Sequence, residues 1–359
     1  MKKISILANS IRAFINYRKK RTVLNNAPSY IWLEPTNHCN LRCVMCPNGA
    51  GKVTVDKGYM DYDLFTRIID QISPHTSALT LAVGGESLLH PRFVDMVHYS
   101  KSKGMKVLLN TNATLLYDGL SGELLDAELD YISFAFDGFT RESYEKARRG
   151  AKFNDTLGNI NAFLRLKRSK RAKKPYCVLS VLNLGLGGCS ESDKQRFIAR
   201  LDEGIDEIRQ REVASWGSTF KDETSFAHRA HEGVYPPCSR LWSTTCISWN
   251  GEVVPCIYNA NREYVLGSLE RELLLDIWNG EAMIGLREAM LDGSYLERSP
   301  LCENCIVLGT PPLLGVPSGL RLSMADALVN FAGFGLEKFM LQFANKIRKN
   351  KFTTLTIKG

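Results

Sequence analysis

Three cysteines close together near the N-terminus carry the strongest chemical signal in the sequence. Cys39, Cys43 and Cys46 have the spacing CxxxCxxC, which places three thiolates on one loop. A [4Fe–4S] cube has four irons, and clusters that only carry electrons usually have four cysteine ligands. Three ligands leave one iron open to a small molecule, as an open coordination position does in catalytic metal sites. The spacing therefore predicts chemistry at an iron, with a structural zinc knuckle as the alternative.

Four further cysteines form a second group in the C-terminal half: Cys238, Cys256, Cys302 and Cys305. An Asn-Gly pair, typical of a hairpin turn, lies between the first two, and the last two form a CxxC. Four thiolates complete the ligand set of a closed [4Fe–4S] site. The same four thiolates would also suit a structural zinc ion.

Composition limits the class of protein that carries these sites. The chain has 359 residues, of which 44% are hydrophobic and 23% charged, a globular balance that suits one large domain and a smaller one. Its ten cysteines are grouped like metal ligands, which favours a reducing, cytoplasmic compartment. Asn9, Ser10 and Arg12 interrupt the apolar N-terminus, so we expect no signal peptide. The net charge of +8 is compatible with nucleic acid, an anionic membrane or an acidic substrate.

Strands and helices alternate through the first two thirds of the chain. The predicted strands are residues 30–34, 79–83, 106–109, 131–136, 176–182 and 206–209. Helices connect these strands over short distances, which implies parallel strands and right-handed crossovers. Six strands are fewer than a closed barrel of this type needs. The sequence therefore predicts the α/β class and a partial (βα)6 barrel of the TIM type, with functional loops at the carboxyl ends of the strands.

Changes in composition divide the chain into five segments. They are an amphipathic basic helix (1–27), the barrel (28–212), a polar linker (213–235), a small cysteine-rich domain (236–309) and a tail (310–359) with an amphipathic helix. Both amphipathic ends could dock on the protein itself or lie peripherally on the inner face of a membrane. The basic run over 165–174 lacks interleaved aromatic residues, which disfavours nucleic acid as a partner.

Polar motifs follow the next three predicted strands. In chain order they are Gly84, Gly85 and Glu86, then Asn112, then Asp137, with Arg149 shortly after. The two glycines let the backbone approach a ligand, and the carboxylate after them can receive a cation. Together with CxxxCxxC, this ordered series resembles the radical S-adenosylmethionine (SAM) superfamily over roughly residues 28–210.

The resemblance implies that Cys39, Cys43 and Cys46 hold a [4Fe–4S] cluster whose open iron binds SAM. Gly84, Gly85 and Glu86 would form the motif that receives the SAM amino group. Asn112 and Asp137 would line the SAM pocket or its ribose, and Arg149 would contact the methionine carboxylate. An electron donor such as flavodoxin or ferredoxin would reduce the cluster. Cleavage of SAM would then give a 5′-deoxyadenosyl radical, which removes hydrogen from a substrate carbon.

Two positions depart from the family pattern. Ala135 stands where the family often has serine, which leaves the ribose contact there in doubt. Ser87 stands where proline usually follows the glutamate, a difference that concerns the turn rather than the chemistry.

The cysteine-rich segment resembles the SPASM domain that many radical SAM enzymes carry. A full SPASM domain continues with further cysteines and binds two auxiliary clusters, whereas this chain has no cysteine after Cys305. It therefore resembles the truncated Twitch form, with one auxiliary [4Fe–4S] cluster that transfers electrons. Asn259 stands where the family often has an aspartate that can act as a base, so a proton acceptor must lie elsewhere.

These resemblances imply an oxidoreductase-like enzyme. The expected reaction is dehydrogenation or epimerisation of a carbohydrate-, cyclitol- or lipid-linked substrate, and the catalytic residues are unknown. Epimerisation requires a hydrogen donor, for which Cys189 and Cys246 are weak candidates, while Cys177 reads as a core residue. The alternatives are a peptide-maturing radical SAM enzyme and, more remotely, a zinc-stabilised binding module without catalysis.

Overall fold

The structure is a computed structural model. It describes residues 2–186, 189–212, 216, 237–299, 302, 305, 307–308, 316–317, 319–321 and the backbone of 354–355. The amphipathic helix predicted in the tail, and nearly all of the predicted linker, lie outside the described residues.

Helices cover the outside of the sheet. Their bounds are α1 (Lys2–Arg18), α2 (Tyr62–Ile72), α3 (Phe93–Ser102), α4 (Asp118–Asp126), α5 (Arg141–Ala147), α6 (Phe153–Ser169), α7 (Glu191–Ile198), α8 (Leu274–Trp278), α9 (Glu281–Asp292) and α10 (Tyr295–Arg298). The side chain of Asp61 caps α2 by accepting hydrogen bonds from the backbone of Asp63 and Leu64. Apolar residues at helical spacing then bury one face of α2 against the sheet.

The strands are short and largely parallel. Their bounds are β1 (Tyr30–Leu33), β2 (Arg42–Cys43), β3 (Ala78–Leu81), β4 (Lys106–Thr111), β5 (Tyr131–Ala135), β6 (Arg148–Arg149), β7 (Tyr176–Asn183), β8 (Glu207–Glu212), β9 (Thr244–Ile247), β10 (Glu252–Val254), β11 (Gly267–Ser268) and β12 (Thr354–Leu355). Among the described strands, the main sheet has the order β11-β10-β9-β1-β3-β4-β5-β7-β8-β12, and β2 pairs separately with β6.

Six consecutive strands of this sheet form the predicted partial barrel. β1, β3, β4, β5, β7 and β8 run parallel, and helices connect most neighbours along the chain. Their side chains build one core with the helices, whose aromatic part includes Phe136, Tyr144, Phe153 and Phe197. The predicted fold class is therefore confirmed.

The cysteine-rich segment extends the barrel sheet rather than standing apart from it. β9 pairs in parallel with β1, so that Cys246 lies opposite Trp32. β10 and β11 then continue the sheet as antiparallel strands. Sequence patterns did not predict this pairing, because β1 and β9 are separated by most of the chain. It places the second cysteine group beside the strand that delivers the first.

The N-terminal helix buries its polar side. Asn9 donates from Nδ2 to the carbonyl oxygens of Ala27 and His75 at 3.0 and 3.1 Å and to Ser29 Oγ at 3.1 Å. Asn16 also lies buried and donates to Asn26 Oδ1 at 2.7 Å. Among the described residues, no helix combines the length and apolar character that crossing a bilayer requires.

Candidate active site between two cysteine groups

The loop after β1 folds tightly around the first three cysteines. Cys43 lies on β2, whose pairing with β6 places it opposite Arg148. Gly49 lets the chain return onto this strand, since a Cβ there would lie 2.5 Å from the Cys43 nitrogen. Cys43 is buried, and Cys39 and Cys46 are partly exposed. The loop therefore presents three thiols from one compact turn.

The three thiols influence one another's protonation. Burial raises the pKa of Cys39, and raises that of Cys43 to about 12. The neighbouring thiols raise both further, whereas the Arg148 guanidinium, 3.9 Å from Cys43 Sγ through Nη1, opposes the shift. Thiolates are the metal-binding form, so this site needs additional positive charge to ionise all three. The irons of a cluster would supply that charge, and the donor set fits one.

The glycines after β3 are required by contact with the cysteine loop. A Cβ on Gly85 would overlap the carbonyl oxygens of Thr36 and His38, and one on Gly84 would lie 2.6 Å from Glu34 Oε1. The backbone N–H after them, that of Glu86, donates to His38 O at 2.8 Å. The end of β3 therefore lies directly against the loop, as the glycine pair predicts.

Glu86 is buried and joins the ends of two strands. Its carboxylate accepts hydrogen bonds from Thr111 Oγ1 at 2.8 Å and from the Asn112 N–H at 2.7 Å. Burial raises its pKa, against the opposing effect of these hydrogen bonds. Asn112 in turn donates from Nδ2 to Asn40 Oδ1 at 2.8 Å, next to Cys39. The structure thus places the predicted SAM-binding residues Glu86 and Asn112 in one network with the cysteine loop.

Asp137 forms a buried ion pair with an arginine that the sequence analysis did not select. Its Oδ2 lies 2.6 Å from Arg148 Nη2, while Oδ1 accepts from the Leu182 N–H at 2.8 Å. The buried Arg148 Nε has no hydrogen-bond partner among the described residues. The adjacent Arg149, the predicted carboxylate contact, is exposed. The signal that could have identified Arg148 is strand alternation, which turns only one of two adjacent arginines inward.

The second cysteine group also gathers in space. Burial raises the pKa of Cys238 to about 12, with Cys305 and Cys256 raising it further. Burial and all three other thiols also raise the pKa of Cys302. Arg240 approaches the group, with Nη1 3.7 Å from Cys256 Sγ. Among the described residues, no group of His, Cys, Asp and Glu side chains is arranged to hold a single metal ion. Four thiols beside one arginine fit the donor set of an iron–sulfur cluster.

A pocket that is partly open to solvent lies between the two groups. Cys46 of the first group and Cys256 of the second both line it. Its polar lining consists of Glu34, Asn37, Asn48, Ser248, Asn259 and Arg262. Valine and isoleucine side chains form much of the remainder, so the pocket combines apolar walls with a few oriented polar groups.

One wall of the pocket carries a buried ion pair. Arg262 places Nη2 3.4 Å from Glu34 Oε2 and Nη1 3.2 Å from Glu252 Oε2. Glu34 also accepts from the Gly84 N–H at 3.0 Å and the Trp249 N–H at 3.3 Å. Burial raises the pKa of Glu34 against these contacts. Arg262 has a φ of 54°, a left-handed conformation that costs a non-glycine residue about 1 kcal/mol or more. The sequence analysis selected neither Glu34 nor Arg262.

The two candidate hydrogen donors occupy different positions. Cys246 is buried on β9 and lines the pocket, and burial raises its pKa well above the usual value. Cys189 lies in the loop before α7 and is not among the lining residues. Asn259 reaches the pocket, but its amide holds a local turn by donating to Tyr264 O and accepting from the Glu263 N–H.

Comparison with known proteins agrees with this geometry. The profile of the Radical SAM superfamily matches residues 33–187, and that of SPASM, an iron–sulfur cluster-binding domain, matches residues 238–306. The chain therefore carries a radical SAM domain followed by a SPASM-type auxiliary-cluster domain. The [4Fe–4S] cluster, SAM and an auxiliary iron–sulfur site follow from these two domains. The radical SAM region holds the cysteine loop and the glycine pair, and the SPASM region contains the second cysteine group.

Two curated proteins illustrate the range of relatives to which this chain is similar in sequence. A tungsten-containing aldehyde ferredoxin oxidoreductase cofactor-modifying protein from Pyrococcus furiosus is 28% identical over 321 residues, covering 77% of this chain and 86% of that protein. An AdoMet-dependent heme synthase from Methanosarcina barkeri is 32% identical over 138 residues, covering 38% of this chain and 39% of that protein.

Solved structures share the fold at low sequence identity. BtrN in complex with AdoMet and 2-DOIA has a TM-score of 0.53 and 17% identity, covering 80% of this chain and 97% of that one. Streptococcus suis SuiB bound to the precursor peptide SuiA has a TM-score of 0.58 and 13% identity, covering 83% of this chain and 76% of that one. These likenesses support the architecture of barrel and C-terminal cysteine-rich domain.

Proposed function

We propose that this radical SAM enzyme carries out a redox modification, dehydrogenation or epimerisation, of a small carbohydrate-, cyclitol- or lipid-linked substrate. The observation that carries the proposal is the pocket that Cys46 and Cys256 line together. Its apolar walls with a few oriented polar groups are typical of small-molecule sites. When bound, the cluster and SAM supply a one-electron cleavage that produces a radical able to remove hydrogen from carbon.

The chain's own residues have separate tasks in this proposal. Gly84 and Gly85 let the end of β3 lie against the cysteine loop that would hold the cluster and SAM, and Glu86 and Asn112 shape the neighbouring wall. Asp137 and Arg148 hold charge beside Cys43 without exposing it to water. Arg149 remains the predicted contact of the methionine carboxylate.

Substrate recognition is assigned to the wall near the second cysteine group. Glu34 and Arg262 offer a carboxylate and a guanidinium to hydroxyl or amino groups of a polar substrate, where burial strengthens each hydrogen bond. Cys246 lines the same pocket and is therefore the better placed hydrogen donor if the net reaction is an epimerisation.

Three further points support the substrate class, the electron acceptor and the compartment in this proposal. The alignment with the cofactor-modifying relative covers most of both chains. This similarity favours a small-molecule substrate over the peptide-maturing alternative. The Cys238 group offers a full set of thiolate ligands for an auxiliary cluster. That cluster would be suited to accept an electron from a substrate radical. All ten cysteines are free thiols, which agrees with a reducing, cytoplasmic compartment and a flavodoxin or ferredoxin as donor.

The test is anaerobic reconstitution with iron and sulfide, followed by assay with dithionite and SAM. We expect about eight irons per chain, from two cubes, and formation of 5′-deoxyadenosine. Cys43→Ala should abolish 5′-deoxyadenosine and retain about half of the iron, that of the second group. Cys177→Ala, at a buried cysteine outside both groups, is the matched control and should keep both properties. Full activity of Cys43→Ala would contradict the assignment, and zinc in place of iron would favour the binding-module alternative.

A further inference from the structure

The N-terminal helix α1 turns apolar side chains toward solvent. Ile4, Ile11 and Ile15 are 62%, 44% and 40% exposed. At 100° per residue, their spacing of seven and four places all three on one narrow stripe of the helix. We call Ile4, Ile11 and Ile15 the outer stripe of α1. Other exposed large apolar side chains among the described residues lie in separate parts of the chain, so this stripe is a distinct surface feature.

The orientation of α1 is fixed by hydrogen bonds, so the outer stripe is not a result of a loosely placed helix. The buried side carries Asn9, Ser10 and Asn16 together with Ile6 and Ala13. Asn9 alone contacts two carbonyl oxygens and one hydroxyl from two separate parts of the chain. Rotating the helix to bury the outer stripe would expose these polar contacts and break them. The fold therefore docks α1 largely through polar side chains and leaves Ile4, Ile11 and Ile15 outside.

Exposed basic residues lie along α1 and just after it, and acidic residues are absent from the same part of the sequence. Exposed basic residues on and just after α1 are Lys2, Lys3, Arg12, Arg18, Lys19, Lys20 and Arg21. The first acidic residue of the chain is Glu34. An apolar stripe flanked by cations matches the boundary of an anionic bilayer, where apolar side chains enter the acyl region and cations meet headgroups.

We propose that the outer stripe of α1 binds the surface of an anionic lipid membrane. Charge selects this occupant over the two others that the chain could supply. A second copy would bring an identical cationic helix, and the tail contains Arg348, Lys349 and Lys351 near its end. Both share the sign of α1, whereas an anionic lipid surface complements it. The proposal is independent of the reaction proposed above, although a lipid-linked substrate would be presented at the same surface.

The test is flotation of the full-length, cluster-loaded protein with vesicles of phosphatidylcholine, either pure or containing phosphatidylglycerol. We expect binding to the anionic vesicles alone and weakening as salt screens the cations. The double variant Ile11→Glu with Ile15→Glu should bind at least about tenfold more weakly, because two side chains no longer leave water. Lys19→Glu with Lys20→Glu should also weaken binding.

The matched control is Leu273→Glu with Leu275→Glu, which changes two exposed leucines at α8 and should leave vesicle binding unchanged. Iron content and far-ultraviolet circular dichroism check that each variant is folded. The proposal is overturned if wild-type protein does not float at low salt, if it binds neutral vesicles equally well, or if the isoleucine variant binds normally. Wild-type dimers that this variant dissociates, without vesicle binding, would assign the stripe to a second copy and also overturn it.

Discussion

Arg148 is the residue on which the charge balance of the first cysteine group depends. It is buried, forms an ion pair with Asp137 and lies beside Cys43 Sγ. We predict that Arg148→Gln lowers the stability of the cluster-free protein by about 3–5 kcal/mol, because Asp137 is left buried without its partner. Iron retention should fall as well, since the pKa of Cys43 rises further without the guanidinium. Urea unfolding and iron analysis measure the two effects.

The neighbouring arginine supplies the control for this prediction. Arg149 is exposed, so Arg149→Gln should leave unfolding and iron retention close to those of wild type. If Arg149 contacts SAM as the sequence predicts, its variant should lose SAM affinity alone. Equal loss of stability in both variants would contradict the inward role given to Arg148.

The cysteine groups were easier to select from the sequence than the residues around them. Thiolate spacing is a local pattern, and the role of each cysteine as a ligand stays a prediction. Arg148 was missed because its role depends on the short pairing of β2 with β6, which brings together residues far apart in the chain. Glu34 and Arg262 were missed for the same reason, since their ion pair joins the end of β1 to the turn after β10.

The junction of β3 with the cysteine loop depends on the absence of one side chain. We predict that Gly85→Ala displaces the loop, because the added Cβ would meet the carbonyl oxygens of Thr36 and His38. The expected cost is about 1–3 kcal/mol in the free energy of unfolding, together with reduced iron content. Anaerobic reconstitution and urea unfolding measure the two quantities.

A glycine in an open position provides the comparison for Gly85→Ala. A Cβ on Gly158, within α6, would meet nothing within 4 Å. Gly158→Ala should therefore stabilise the protein by about 0.5–1 kcal/mol through helix propensity. Normal iron content and stability in Gly85→Ala would show that the loop tolerates the extra methyl group.

Most elements of the barrel could be predicted because their signals are local. Each predicted strand of the barrel overlaps an observed one. The short helix α5 was not predicted, although Thr140 and Ser143 form a capping box at its start. The last barrel strand was predicted over 206–209 and extends to Glu212, since pairing with β7 continues a polar stretch that periodicity does not mark.

Across the part of the chain that the structure describes, a ten-stranded sheet joins the barrel to the cysteine-rich segment, which the sequence divided into two domains. β9 adds to the edge of the barrel beside β1, so both cysteine groups depend on the same hydrogen-bonded ladder. We predict that backbone amides over 244–247 exchange with solvent as slowly as those over 30–33, because both strands open only in global unfolding. Native-state hydrogen exchange monitored by mass spectrometry measures this. Markedly faster exchange of β9 would show that the C-terminal part unfolds separately.

The pairing of β1 with β9 also fixes the distance between these two strands. Adjacent strands lie about 4.7–4.9 Å apart, so the ladder holds the ends of β1 and β9 side by side at that spacing. The loop with the first cysteine group leaves from the end of β1, and β10, which precedes Cys256, follows β9. A change in the length of the chain between β8 and β9 that leaves this pairing intact should therefore keep the two strand ends at the same separation.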